Sequence, residues 1–238
     1  MKRAGRIWEL DALRGLCIVG MVAVHLIYDL RELLALADFA YPAFFVFIKD
    51  WGGILFLLIS GVCVTLGSHP VRRGLVVLAA GLLCSLVTAG LYWLHLQGRE
   101  IVIWFGILHC LGLCMLLYPL FRRLPPWALG LLGAVCLALG YWFLSLRVSA
   151  PYLFPLGLTA PGFASSDYFP LLPNLGYFLL GALLGKTAYR RRETLLPRVK
   201  AELGVIRFFS WCGRQSLWIY LLHQPALTLI LEGFALLT

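Results

Sequence analysis

Four side chains near the start of the chain, Asp11, Arg14, His25 and Asp29, have the types needed for proton transfer and anion binding. At 100° per residue they fall within about 60° of one another, so they make one polar stripe along an otherwise apolar helix. Asp11 and Arg14 stand at i and i+3 and can pair; the pair either pins the helix end or serves the chemistry. His25 lies about 20 Å further along the axis. Asp29 is one turn beyond, placed to orient or charge the imidazole. Two more histidines sit in apolar runs: His109 follows Phe105-Gly106-Ile107-Leu108, and His223 shares a face with Ser216, Tyr220 and Gln224. Asp50, before Trp51-Gly52-Gly53, and Asp167 add carboxylates. A general base needs a tunable pKa, and a low-dielectric pocket tunes His and Asp strongly. Hydrogen bonding between helices explains any one of these groups; it explains the set less well.

A second set is basic. Arg14, Arg72, Arg73 and Arg214 fall near the same ends of three helices, a group suited to the phosphates of a nucleotide-like donor. Taken alone, Arg72 and Arg73 read as ordinary loop charge. No metal site is expected: the chain has no HxxxH or CxxC spacing, and its seven cysteines lie in or near apolar stretches as small buried hydrophobes.

The elements that must hold these groups follow from composition. Of the 238 residues, 61% are hydrophobic and only 13% charged, with a mean hydropathy of +0.89. A soluble fold of this size could not hide that much apolar surface. The numbers exclude a soluble enzyme, a disordered chain and a nucleic-acid-binding module, and point to an all-α, polytopic transmembrane bundle. Apolar runs predict about seven spans, at about 12–34, 43–67, 71–96, 101–121, 126–146, 170–189 and 213–236. No internal repeat or separate domain is visible, so residues 1–238 read as a single domain.

The net charge of +9 supports that count. With the N-terminus cytoplasmic, Lys2, Arg3, Arg6, Arg72, Arg73, Arg122, Arg123, Lys186, Arg190, Arg191, Arg192, Arg198, Lys200 and Arg207 fall inside; only Arg31, Lys49, Arg99 and Arg147 fall outside. That is the positive-inside pattern, and it puts the C-terminus outside. The inner loop 186–210 is either a topology anchor or an amphipathic helix lying on anionic lipid. The outer loop 147–169 either covers a site or merely connects.

Glu9-Leu10-Asp11-Ala12-Leu13-Arg14-Gly15, then His25 ten residues on and Tyr28-Asp29, resembles the start of the heparan-alpha-glucosaminide N-acetyltransferase catalytic domain, in its small bacterial branch. More distantly the chain is similar to the membrane acyltransferase-3 proteins, which also open with Arg-Gly followed by His. The stretches Asp50 to Gly61, Phe105 to His109 and Ser216 to His223 extend the resemblance over most of the chain. It implies a transmembrane acyltransferase of a bacterial inner membrane. Acetyl-CoA or another acyl-CoA would be the donor substrate from the cytoplasm. The acceptor would be an amine or hydroxyl of an extracytoplasmic sugar or glycolipid.

Carried over by position, Arg14 falls in the donor-side signature; charge and helix position, not the resemblance, add Asp11, Arg72, Arg73 and Arg214 beside the donor. His25 matches the acyltransferase-3 histidine, while Asp50 and His223 match polar positions of the heparan-alpha-glucosaminide N-acetyltransferase itself. That enzyme also uses a histidine in the loop before its second helix, and this chain has none between Leu26 and Gly61. Either His25 takes that role or the chemistry differs. In this scheme His25, assisted by Asp29, removes the acceptor proton, and Asp50, His109 and His223 hold the acceptor or stabilise the oxyanion. The chain's partners are then the acyl-CoA, the sugar acceptor and membrane lipid; a homo-oligomer is compatible with the sequence. The residues alone also fit a small proton-coupled transporter or channel, or a structural subunit of a larger complex.

Overall fold

Lipid offers no water to backbone groups, so long apolar runs must close their hydrogen bonds as helices. The computed structural model describes residues 6–33, 40–199 and 201–235, and among these it contains helices and no strand. The helices are α1 (Trp8–Tyr28), α2 (Ala43–Leu66), α3 (Pro70–Trp93), α4 (Ile107–Phe121), α5 (Pro126–Ser145), α6 (Leu171–Thr187), α7 (Gly204–Arg214) and α8 (Ser216–Ala235). A π-helical turn, Asp29–Leu33, extends α1, and 3-10 turns lie at Arg99–Ile101 and Pro151–Leu156. Lys2, Arg3 and Lys200 of the basic segments, and the expected span ends at 34 and 236, lie outside the described residues.

Four stretches are long and apolar enough to cross a membrane: Trp8–Arg31, Ala43–Leu66, Pro70–Trp93 and Pro126–Ser145. Their outer faces are apolar. On α3, Leu86 and Trp93 are 71% and 73% exposed, whereas a water-facing helix would be polar there. The apolar helices Ile107–Phe121 and Ser216–Leu231 are shorter.

The chain divides into two compact units, one from the described residues of Met1–Phe56 and Arg192–Thr238, the other from Leu57–Arg191. α2 contributes to both. In the first unit α1 packs against α7 and α8; in the second α3 pairs with α4, and α5 with α6. Small residues allow these approaches. At the α5–α6 contact, a Cβ on Gly133 would meet the Gly176 carbonyl at 3.2 Å, and one on Gly176 the Gly133 carbonyl at 2.7 Å.

Two expected boundaries are corrected. The fourth helix begins at Ile107 and not near 101, because the intervening backbone finds partners elsewhere. Ile103 N–H donates to Thr88 Oγ1 at 3.1 Å and Trp104 N–H to Ser165 Oγ at 3.1 Å. The Val102 and Phe105 carbonyls accept from Ser166 and Phe169 N–H. Asp167 then caps α4, its Oδ2 accepting the Ile107 N–H at 2.9 Å. Residues 165–169 of the 147–169 segment therefore close the start of α4. Among the described residues of the basic loop, helix returns only at α7, after turns and bends within 188–199 and 201–203.

Candidate active site

The site begins where α1 crosses α7. A Cβ on Gly15 would strike the Phe209 carbonyl, and one on Gly213 the Asp11 carbonyl; these glycines let the two backbones touch. The crossing brings Arg14 to the start of α8, where Nη2 donates to Ser216 Oγ at 2.8 Å. The guanidinium carbon lies 5.7 Å from the centre of the Phe56 ring, a cation–π contact. Arg14 Nε is buried with no hydrogen-bond partner.

The expected Asp11–Arg14 pair is not formed. Asp11 Oδ2 instead stands 3.9 Å from Nε of an exposed Arg6, a contact worth little in water. Nearby, the buried Glu9 carboxylate accepts from Thr194 Oγ1 at 2.9 Å and from Leu195 N–H at 2.8 Å. The first residue of the Glu9–Gly15 run thus ties the segment before α7 to α1.

Further along, α1 and α8 present two histidines to each other. The His25 and His223 rings are 4.9 Å apart, edge to face at 74°. His25 Nδ1 is 2.9 Å from the Met21 carbonyl, and His223 Nδ1 2.5 Å from the Tyr220 carbonyl. A carbonyl can only accept, so each Nδ1 carries a proton, and in the neutral rings each Nε2 keeps its lone pair. Nε2 of His223 is buried and has no partner.

Asp29 is buried beside them at the π-turn, where its N–H is shared between the His25 and Leu26 carbonyls. Turns of this kind often mark functional positions in helices. Its Oδ2 accepts from Gln224 Nε2 at 3.0 Å. Of the two roles expected of Asp29, orienting His25 falls to the Met21 carbonyl, while the Asp29 carboxylate, hydrogen-bonded from α8, remains near enough for its charge to act on the imidazole. Gln224 Oε1 is also buried without a partner. The lining is therefore acceptor-rich: imidazole nitrogens, an amide oxygen and a carboxylate. Such a group can take up a proton from a bound N–H or O–H.

His109, in the second unit, has both ring nitrogens engaged. Nδ1 accepts the Gly106 N–H at 3.2 Å, and Nε2 donates to Ser85 Oγ at 3.2 Å. That hydroxyl donates onward to the Ile103 carbonyl at 2.6 Å. This is the opposite tautomer, and it fastens the start of α4 to α3. Asp50 is exposed on α2. Arg72 is exposed and Arg73 half-buried near the start of α3, in the second unit. Arg214 is exposed and lines an open cleft with Trp8, Arg207 and Trp211 in the first. Among the described residues, no group of three His, Cys, Asp or Glu side chains is placed to hold a metal.

The structure thus joins His25, Asp29 and His223 with Gln224, and separately Arg14 with Ser216. The i, i+4 and i+7/i+8 spacing on α8 signalled Gln224 and Ser216. Nothing in the sequence signalled the Met21 and Tyr220 carbonyls that set the tautomers, or Phe56 under Arg14. Compared with known families, the chain matches the model of heparan-alpha-glucosaminide N-acetyltransferase, catalytic, over residues 6–225. No curated protein and no solved structure matches it.

Proposed function

The chain belongs to the heparan-alpha-glucosaminide N-acetyltransferase catalytic family, and on that premise we propose that it carries an acetyl group across a membrane, from acetyl-CoA to an amine of a sugar or glycolipid. In this reading α4, α6 and α8 also span, giving seven spans, with the N-terminus cytoplasmic and the C-terminus outside, in a bacterial inner membrane. Both compact units form one catalytic domain.

The observation that carries the proposal is the His25–His223 pair with two Nε2 lone pairs beside the Asp29–Gln224 bond. The acceptor nitrogen attacks the thioester carbonyl carbon and the C–S bond breaks. The proton leaving nitrogen passes to His25 Nε2 and then to the CoA sulfur. His223 Nε2 and Gln224 Oε1 hold the acceptor, and Asp29 acts by fixing the Gln224 amide. Acceptor-only groups favour an amine, which brings two N–H bonds and still keeps a lone pair for attack, over a hydroxyl, which brings one O–H. Arg14, with its buried and unpartnered Nε at the foot of the same helix, takes donor phosphate through its guanidinium. Of the roles expected of Asp50, His109 and His223, holding the acceptor falls in this reading to His223, with Gln224 beside it.

The test is label transfer. Purified protein in liposomes is given radiolabelled acetyl-CoA and paired amino and hydroxyl sugars. Transfer to the amino sugar that is lost in His25→Ala supports the reading. Proton flux with no transfer to any sugar refutes it.

A further inference from the structure

α7 has apolar groups on two sides, and only one of them is covered. Ser210, Cys212 and Gly213 are buried, and Gly213 touches the α1 backbone at Asp11 and Gly15. Away from that contact Val205, Phe208 and Trp211 are 69%, 54% and 51% exposed. Arg207 and Arg214 are exposed as well. On a helical wheel the two arginines lie about 20° apart, and Trp211 about 40° from Arg207. Arg207, Phe208, Trp211 and Arg214, with Trp8 and Gly204, border a cleft of about 580 Å³. Neither arginine has an acidic partner among the described residues.

A helix edge facing water would not carry Trp and Phe beside its arginines. α7 has 11 residues, too few to cross a bilayer, which needs about 20. It also lies against the first two turns of α1, one of the helices long enough to cross. Such a helix belongs at the membrane surface. We propose that α7 is an interfacial helix and that its cleft seats the headgroup of an anionic phospholipid. The phosphate sits on Arg207 and Arg214, and the glycerol and first acyl carbons run along Phe208 and Trp211. The inference stands on the membrane character of α1 and not on the acyl-transfer chemistry.

The test measures retained lipid. The full-length protein is exchanged through mixed phosphatidylcholine and phosphatidylglycerol, and the bound lipid is weighed by native mass spectrometry. Preferential retention of phosphatidylglycerol is expected. It should fall roughly tenfold in R207Q/R214Q, persist in R207K/R214K, and persist in R122Q/R123Q. Equal retention of the two lipids by the unaltered protein overturns the proposal. So does a drop in CoA binding in R207Q/R214Q with phosphatidylglycerol retention unchanged, since the cleft would then hold a nucleotide.

Discussion

The imidazoles of His25 on α1 and His223 on α8 meet edge to face, 4.9 Å between centres, and each donates its Nδ1 proton to a carbonyl one turn back on its own helix. The backbone therefore sets both tautomers alike, and no carboxylate is needed to orient either ring. Two Nε2 lone pairs on rings in edge-to-face contact make a pair able to take up a proton from a bound N–H.

That pairing predicts how single and double variants compare. His25→Ala should lower acetyl turnover by about 10²–10⁴, the usual worth of a positioned base. His223→Ala should raise the KM of the acceptor more than it lowers kcat, because it holds the acceptor. The double variant should be little worse than His25→Ala, as groups acting as a unit are not additive. Additive losses measured in a double-mutant cycle would separate the two roles.

Asp29 and Gln224 give a second prediction. Gln224→Leu leaves a buried carboxylate without its donor, at about 1–3 kcal/mol in stability. Gln224→Glu sets two carboxylates side by side and should cost more near neutral pH than in acid. Thermal unfolding in detergent across a pH series checks both. Equal melting shifts for Leu and Glu at every pH would dissociate Gln224 from Asp29.

Arg14 should matter more for the donor than loop arginines do. Arg14→Ala is expected to weaken CoA binding by about 1.5–3 kcal/mol, the worth of a charge-assisted contact, while Arg122→Ala leaves it unchanged. Ser216→Ala should fall between them, because it frees the guanidinium without removing it. Calorimetric titration with CoA reads all three; equal, negligible effects would place the nucleotide elsewhere.

How much of this was legible in the sequence differs by residue. The helices were, because lipid forces apolar runs into them. So was the α1 stripe, because 100° per residue fixes which side chains share a face. The partner of Asp29 was not, since pairing with Gln224 depends on how α8 docks, which no local spacing encodes. The helix spacing left Arg14 facing Asp11, yet contact with α8 turned it to Ser216. His109 has the residue type of a base and lies in an apolar run, as His25 does. Only the Gly106 N–H and Ser85 hydroxyl around it show that neither nitrogen is free. The run from Ile101 to Phe105 reads as helix by hydropathy, and long-range pairing with residues 165–169 overrides it.

The crossing of α1 and α7 allows a test independent of any ligand. Gly15 and Gly213 sit where a Cβ would enter the partner backbone, and backbone cannot rotate away as a side chain can. Gly15→Ala or Gly213→Ala must therefore push the helices apart, at about 1–3 kcal/mol or more. The shift also carries Ser216 away from Arg14, so donor affinity should fall with stability. Gly90, inside α3, is the control, because a Cβ there meets nothing within 4 Å. Gly90→Ala should be neutral or stabilise by about 0.5–1 kcal/mol, since alanine loses less backbone entropy in a helix. Melting temperatures and CoA titrations on the three variants check this. If Gly213→Ala melts like the Gly90 variant and binds CoA normally, the backbones do not touch at this crossing, and the placement of Arg14 against Ser216 fails with it.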